Sequence, residues 1–362
     1  MKRLTSLVFG LVIAAAVLSA GYSAYWYVSA EQIRGGIAGW ADDVRGHDTV
    51  VEYQDVRVSG FPFWLNVMVD GLRVETGEDA DGGYWGWSGS WIGFDIRPWS
   101  FSEIKFRLPG TYQVTYPVGI FRPDGKEKAG ARSLFAISSK AEGYIGLKDG
   151  FQPWAAYVDI GSLEILAEDI GPAGDNLLEA ESARISIRTY SPGEPAHLNS
   201  TLDVAFSLEG LVLPEDEDLP LGSRFDLIQG EAALMGALGP APAAAAVQDW
   251  RDEGGTLEVL RLNLRWGDLD VEGKGTLALD GEMQPMGALT TSIRGFKPAL
   301  EALAEKGIIK ASQATTAKVI LGLLAKRGTD GRKTLSAPLT VQERKLNIGP
   351  IHLLDLPPIT WK

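Results

Sequence analysis

Over most of its length this chain alternates apolar and polar residues one for one, and that period of two restricts what it can become. A strand turns successive side chains to opposite faces, so such runs build half-buried sheet and cannot give a helix its apolar stripe. Leu65, Val67 and Val69 face away from Asn66, Met68 and Asp70. Ile104, Phe106 and Leu108 then alternate with Lys105 and Arg107, and Tyr112, Val114 and Tyr116 with Gln113 and Thr115. Leu163 and Ile165 repeat the pattern, as do Ile185 and Ile187, and then Leu202, Val204, Phe206 and Leu208 against Asp203, Ser207 and Glu209. Leu260, Leu262, Leu264 and Trp266 stand against Arg261, Asn263 and Arg265, and the run that carries Leu277 and Leu279 ends at Asp280-Gly281. Asp-Gly between alternating runs marks a hairpin, because a tight type I′ turn needs positive φ at both central residues. The pattern predicts a mainly β fold of the α+β kind, with large, twisted, mostly antiparallel sheet forming a groove or a sandwich.

Helical spacing is confined to a few stretches. Ile33, Ile37, Trp40 and Val44 recur three or four apart and predict a helix from about residue 30, weakened by Gly35 and Gly36. Pro298 in a first turn, Leu300 and Leu303 on one face and Gly307 at the end outline a short helix. A second covers about 309–326, with Val319, Ile320, Leu323 and Leu324, and closes on Lys326, Arg327 and Gly328. A third is expected near 241–251.

The N-terminus reads differently. Lys2 and Arg3 precede residues 4–28, which carry no charge, and about 20 such residues suffice to cross a hydrocarbon core. Basic residues before the span favour a cytoplasmic start, and Tyr22, Tyr25, Trp26 and Tyr27 sit where an aromatic belt meets the opposite headgroups. A cleaved signal peptide is the competing reading, since Leu18-Ser19-Ala20 offers small residues. The apolar run outlasts a signal core and the cleavage pattern is poor, so an uncleaved anchor is expected. The chain then divides into residues 1–29 as cytoplasmic tip and anchor, 30–213 as an N-terminal β half with a Trp-rich region, and 214–362 as a C-terminal β half with helices near 241–251 and 298–327. The acidic stretch 214–220 between two prolines is the expected seam, read as a solvated loop because it lacks the ordered spacing of a calcium loop.

Composition removes several classes of function. The net charge of −13 works against nucleic acid and anionic headgroups alike. Cys is absent, which excludes disulfides, thiolate metal sites, a Cys nucleophile and a lipidated Cys. The histidines, His47, His197 and His352, have no metal-ligand spacing. Gly273-Lys274-Gly275-Thr276-Leu277-Ala278 fits a degenerate dinucleotide string, yet strand residues continue on both sides where a phosphate-binding helix would have to begin. Asp79-Ala80-Asp81-Gly82 opens like a calcium loop but lacks the closing Glu, and reads as a turn. Gly86-Trp87-Ser88-Gly89-Ser90 lacks the last Gly of a nucleophile elbow. No cofactor, metal or catalytic residue is expected. Trp85, Trp87, Trp91 and Trp99 among their glycines form the densest aromatic region, readable as a platform for a sugar or acyl chain or as ordinary packing of a strand pair.

Two stretches carry a resemblance. Val58-Ser59-Gly60-Phe61-Pro62-Phe63 resembles the early SGFPF signature of an uncharacterised bacterial envelope family known only as a domain of unknown function. The run 266–357, with Gly273 to Leu279, Gly287 to Ile293, the helix at Pro298 and Leu346-Asn347-Ile348-Gly349-Pro350, is similar to the closing segment of AsmA-like proteins. The resemblance implies a single-pass bacterial inner-membrane protein with its bulk in the periplasm, and sheets that curl into a groove for lipid; it implies no catalytic residue. The chain is much shorter than the long bridging AsmA-like members. The expected function is therefore binding of a lipid or another hydrophobic ligand in envelope maintenance. Many half-apolar strands and few covering helices leave an apolar face open, with Leu260, Leu262, Leu264, Leu277 and Leu279 as its expected lining. The alternative is a non-catalytic scaffold or assembly factor whose sheet closes into a dry sandwich and recruits another envelope protein.

Overall fold

A computed structural model describes residues 2–45, 48–78, 83–117, 131–148, 152–167, 176–190, 196–214, 219–239, 243–327, 333–359 and 361. These residues are mainly β, with a large antiparallel sheet and four helices, as the alternation predicts. Two compact units divide the chain, one of residues 1–153 and 166–174, the other of 154–165 and 175–362.

The first unit opens with α1 (Lys2–Arg45), one helix of 44 residues that runs without a break through Gly35 and Gly36. Its strands are β1 (Val50–Glu52), β2 (Asp55–Ser59), β3 (Leu65–Asp70), β4 (Arg73–Glu75), β5 (Gly86–Gly89), β6 (Trp91–Arg97), β7 (Ser100–Arg107), β8 (Thr111–Pro117) and β9 (Ala131–Lys148). They pair as long strands interrupted once: β3 pairs β2 and β6, β4 pairs β1 and β5, and β7 and β8 share β9. The interruptions are neighbours across the sheet. The Gln54 N–H donates to the Asp70 carbonyl at 2.8 Å, Gly71 to Ser90 at 2.8 Å, Gly89 to Leu72 at 3.0 Å and Leu108 to Ala141 at 2.8 Å. One kink line thus crosses the meander, and extra residues at such a line bend strands and raise their twist. Alternation slips there by one residue: Val69 lies opposite Val56 and Ile92, but the next apolar partner set is Val74, Val51 and Trp87, five positions on.

The second half of α1 covers this sheet. Trp26, Ala30, Ile33 and Ile37, spaced three or four apart, pack on Leu65, Val67, Ile96, Val56 and Val58. Leu65, Val67 and Val69 are buried, so the alternation of β3 is the difference between the face under the helix and the face away from it.

The second unit contains β10 (Gln152–Ala167) over residues 154–165, then β11 (Asn176–Thr189), β12 (Ser200–Val212), β13 (Arg224–Met235), α2 (Ala243–Asp252), β14 (Thr256–Trp266), β15 (Leu269–Leu279), β16 (Pro285–Arg294), α3 (Phe296–Glu305), α4 (Ala311–Leu324), β17 (Lys326–Arg327), β18 (Lys333–Gln342), β19 (Lys345–Ile348) and β20 (Ile351–Asp355). From β11 to β16, and on through β18, β19 and β20, each strand pairs antiparallel with the next. β12 and β13, which flank the acidic loop, pair with each other; residues 215–218 of that loop lie outside the described residues.

The hairpin of α3 and α4 lies over one face of the C-terminal strands. Phe296, Leu300, Ile309, Ala314, Ala317 and Leu321 pack on Ile293, Leu335, Ala337 and Ile348. Its entry is set by Gly295 at φ 69°, where a Cβ would fall 1.8 Å from the Asp268 carbonyl oxygen. α2 is held by Trp250, buried, whose indole N–H donates to the Met235 carbonyl at 2.7 Å and whose ring lies where a Cβ on Gly255 would stand.

Candidate hydrophobic-ligand face

Strand register in the second unit decides which side chains share a face, because residues directly opposite in an antiparallel pair point the same way. One cross-strand row reads Ile185, Phe206, Gly230, Leu262, Gly273, Thr291 and Ala337. The next reads Ala183, Leu208, Ile228, Leu264, Val271, Ile293 and Leu335. On the other side of the first lie Ile187, Val204, Ala232, Val259, Gly275, Leu289 and Leu339. The three rows make an apolar face seven strands wide. The reverse face is polar: Arg184 pairs Glu209 at 2.8 Å, Asn263 donates to Gln229 at 2.8 Å, and Arg294 meets Asp270 at 3.1 Å.

Cover is unequal along that apolar face. Under α3 and α4, Ile293, Leu335 and Ala337 are all buried, Leu335 to 0% exposure. Leu262, Leu264 and Leu277 in the middle are half-buried. Toward β11 and β12 two of the rows open further, to 46% exposure at Ile185 and 38% at both Ile187 and Phe206, while Ala183 at the end of the third stays buried. The Phe206 ring lies where a Cβ on Gly230 would stand, 2.4 Å from its nearest carbon, so the glycine lets the ring lie flat across the neighbouring strand.

Of the five leucines expected as lining, Leu262, Leu264 and Leu277 come together on this face, and Leu279 follows Leu277 in phase. Leu260 does not join them. The register of β14 slips between Val259 and Leu262 against β15 and skips position 260 against β13, which is a bulge, and an extra residue reverses the alternation on one side of it. Leu260 lies instead with Arg261, Asn263, Glu272, Lys274 and Thr290 around an open depression of about 490 Å³ on the polar side. The face residues that alternation left unmarked as lining are Ile185, Ile187 and Phe206. Their own strands showed the pattern, but only register joins them to Leu262.

The four tryptophans are divided by the kink of the first unit. Trp87 stands opposite Val74 and Val114, with its ring 6.3 Å from that of Tyr112. Trp91 lies beyond Ser90, opposite Asp70, while Trp85 precedes β5 and Trp99 occupies the turn after β6. Burial holds the Tyr112 phenol above the ordinary tyrosine range. Glu75, by hydrogen bond and charge, raises the Arg73 guanidinium.

Other sequence candidates are dispersed. Gly275 sits where a Cβ would meet the Ala288 carbonyl oxygen at 2.1 Å, so the Gly273 and Gly275 pair serves close approach of β15 to β16. His352 lies 3.6 Å from Asp355, and His197 lies beside Gly236 and Trp250. His47 and residues 79–82 lie outside the described residues. Among the described residues α1 is long and apolar enough to cross a membrane, from Leu11 onward by composition.

A family model described as an uncharacterized protein conserved in bacteria (DUF2125) matches residues 26–357. The chain belongs to this family. The match takes in both β units and begins within the aromatic turn of α1. No curated protein matches the chain.

Proposed function

We propose that this member of the family is a single-pass inner-membrane protein whose sheet lies in the periplasm and holds a lipid or another hydrophobic ligand against the open part of its apolar face, in maintenance of the envelope. The observation that carries the reading is the contrast within single registered rows: side chains of one face are sealed beneath α3 and α4, and at the far end of the same face Ile185, Ile187 and Phe206 stand exposed on β11 and β12. Contiguous exposed apolar surface of several hundred Å² usually marks a binding site. Lys2 and Arg3 before the span support the orientation. The likeness of the closing segment to AsmA-like proteins points the same way. The role proposed is non-catalytic.

The test is native mass spectrometry with lipid extraction of the full chain purified from its membrane. Reproducible lipid on the wild type, lost in Phe206→Asp and Ile187→Asp but kept in Ser186→Asp on the reverse face, is the expected result. Equal lipid on all of them overturns the assignment of the face, and no lipid beside a stoichiometric protein partner replaces it with a scaffold.

A further inference from the structure

The first unit carries a second exposed apolar surface, built from three separate segments. Loop 60–64 and turn 98–99 both converge on residues 22–27 of α1. The Tyr22 hydroxyl donates to the Pro62 carbonyl, the Tyr25 hydroxyl to the Pro98 carbonyl, and the Trp26 indole N–H to the Trp64 carbonyl at 2.9 Å. Phe61 meets Trp26 edge-on at 5.6 Å and stacks near Tyr27 at 6.3 Å. Gly60, at φ 99°, permits the turn, since a Cβ there would fall 2.2 Å from the Asn66 side-chain oxygen.

These contacts fix the level of the loops along the helix. With a rise of about 1.5 Å per residue, roughly 20 residues cover a hydrocarbon core of about 30 Å. Counted from Leu4, the first residue after Lys2 and Arg3, the core ends near Ala24. The hydrogen bonds to the loops come from Tyr22, Tyr25 and Trp26, at and just past that boundary. Below it, Phe9, Leu11, Val12, Ile13, Val17 and Leu18 all point outward and are exposed, as on a lipid-facing helix.

At the boundary itself the loops expose what the unit does not pack, Phe63 at 64% and Trp99 at 61%, and Tyr27 of α1 is exposed as well. The Arg97 guanidinium stands 5.6 Å over the Trp64 ring. Aromatic rings with a polar edge and a cation beside them match the interfacial zone, where headgroup phosphates meet the first methylenes.

We infer that loop 60–64 and turn 98–99 seat in the headgroup zone of the bilayer that α1 crosses, making phospholipid the partner of this surface. The inference rests on α1 spanning the membrane, as proposed above. Three points of attachment in place of one hold the first unit against the bilayer, where a lone helix would leave it free to swing. Arg97 lies at phosphate level.

The absence of Cys makes the test direct. Phe63→Cys, Trp99→Cys, Ala15→Cys within the span and Glu343→Cys as a solvent control are each labelled with an environment-sensitive fluorophore. The full chain is reconstituted in vesicles of phosphatidylethanolamine and phosphatidylglycerol. Nitroxide lipids labelled near the headgroup or near the chain end then quench by depth. The expected result is blue-shifted emission at 63 and 99, quenched several-fold more by the shallow nitroxide than at 343, with 15 quenched by the deep one. Water-like emission at 63 and 99 while 15 is quenched overturns the inference alone. Blue-shifted but unquenched emission there assigns the surface to a second copy and also overturns it. An unquenched label at 15 defeats the spanning reading itself.

Discussion

If the apolar face of the second unit is sealed at one end and open at the other, the same substitution should have unequal cost along it. Leu335 is wholly enclosed beneath α3 and α4, among Leu321, Ala317 and Ile348. Removing three carbons there loses their transfer free energy and leaves a cavity that the helices cannot fill, which together cost about 3 kcal/mol, within the range of about 2 to 5 for buried leucines. Leu262 lies on the same face but is half-buried. Leu262→Ala removes the same atoms from a site already partly wet and leaves no closed cavity, so about 1 kcal/mol is expected. Urea titration of the full chain in detergent, followed by tryptophan fluorescence, reads both variants as midpoint shifts at unchanged slope. A difference of about 2 kcal/mol between them is the expected result. Equal losses of about 3 kcal/mol would show that Leu262 is enclosed too, and equal losses near 1 would show that the helices do not seal Leu335.

Gly295→Ala should destabilise the second unit by more than about 2 kcal/mol, because it adds left-handed strain to a direct backbone clash with Asp268; a thermal melt unchanged from wild type would refute this. Trp250→Phe keeps the ring over Gly255 but removes the donor to the Met235 carbonyl, for an expected loss of about 1 kcal/mol by urea titration. Tyr112 predicts a pH effect whose sign follows from burial. The folded state holds the phenol proton more tightly than the unfolded chain does, so the stability it confers is present below the ordinary value of 10.0 and is lost as pH rises beyond it. Tyr112→Phe should therefore flatten that part of the alkaline decline, and an unchanged decline would remove Tyr112 as its source.

Local periodicity made the strands legible, since each half-buried strand writes its two faces into its own residues. It also exposed the helical hairpin, through Pro298, Leu300, Leu303 and Gly307 and the apolar residues Val319, Ile320, Leu323 and Leu324. Yet α4 turns Ala314, Ala317 and Leu321 to the sheet and leaves Val319 and Leu323 exposed. What periodicity could not carry is anything set by the neighbouring strand. Leu260 reads in phase with Leu262, yet the bulge beside it depends on how β13 and β15 pair across β14. The tryptophans read as one cluster, yet the interruption at Ser90 belongs to a kink line shared with Gly71 and Pro109. The uninterrupted α1 has the same origin. Gly35 and Gly36 weaken a helix in isolation, but Ile33 and Ile37 on either side are held by the sheet. Ile185, Ile187 and Phe206 were visible as strand residues, and their place on the open face came only from register and from where α3 and α4 stop.

The most direct measurement places a photoreactive phenylalanine at position 206 in living cells and weighs what it captures, with the same residue at 186 on the reverse face as control. Adducts of lipid mass at 206 and not at 186 are the predicted result. Capture of protein alone at 206, or equal lipid capture at both positions, would contradict a lipid-binding face.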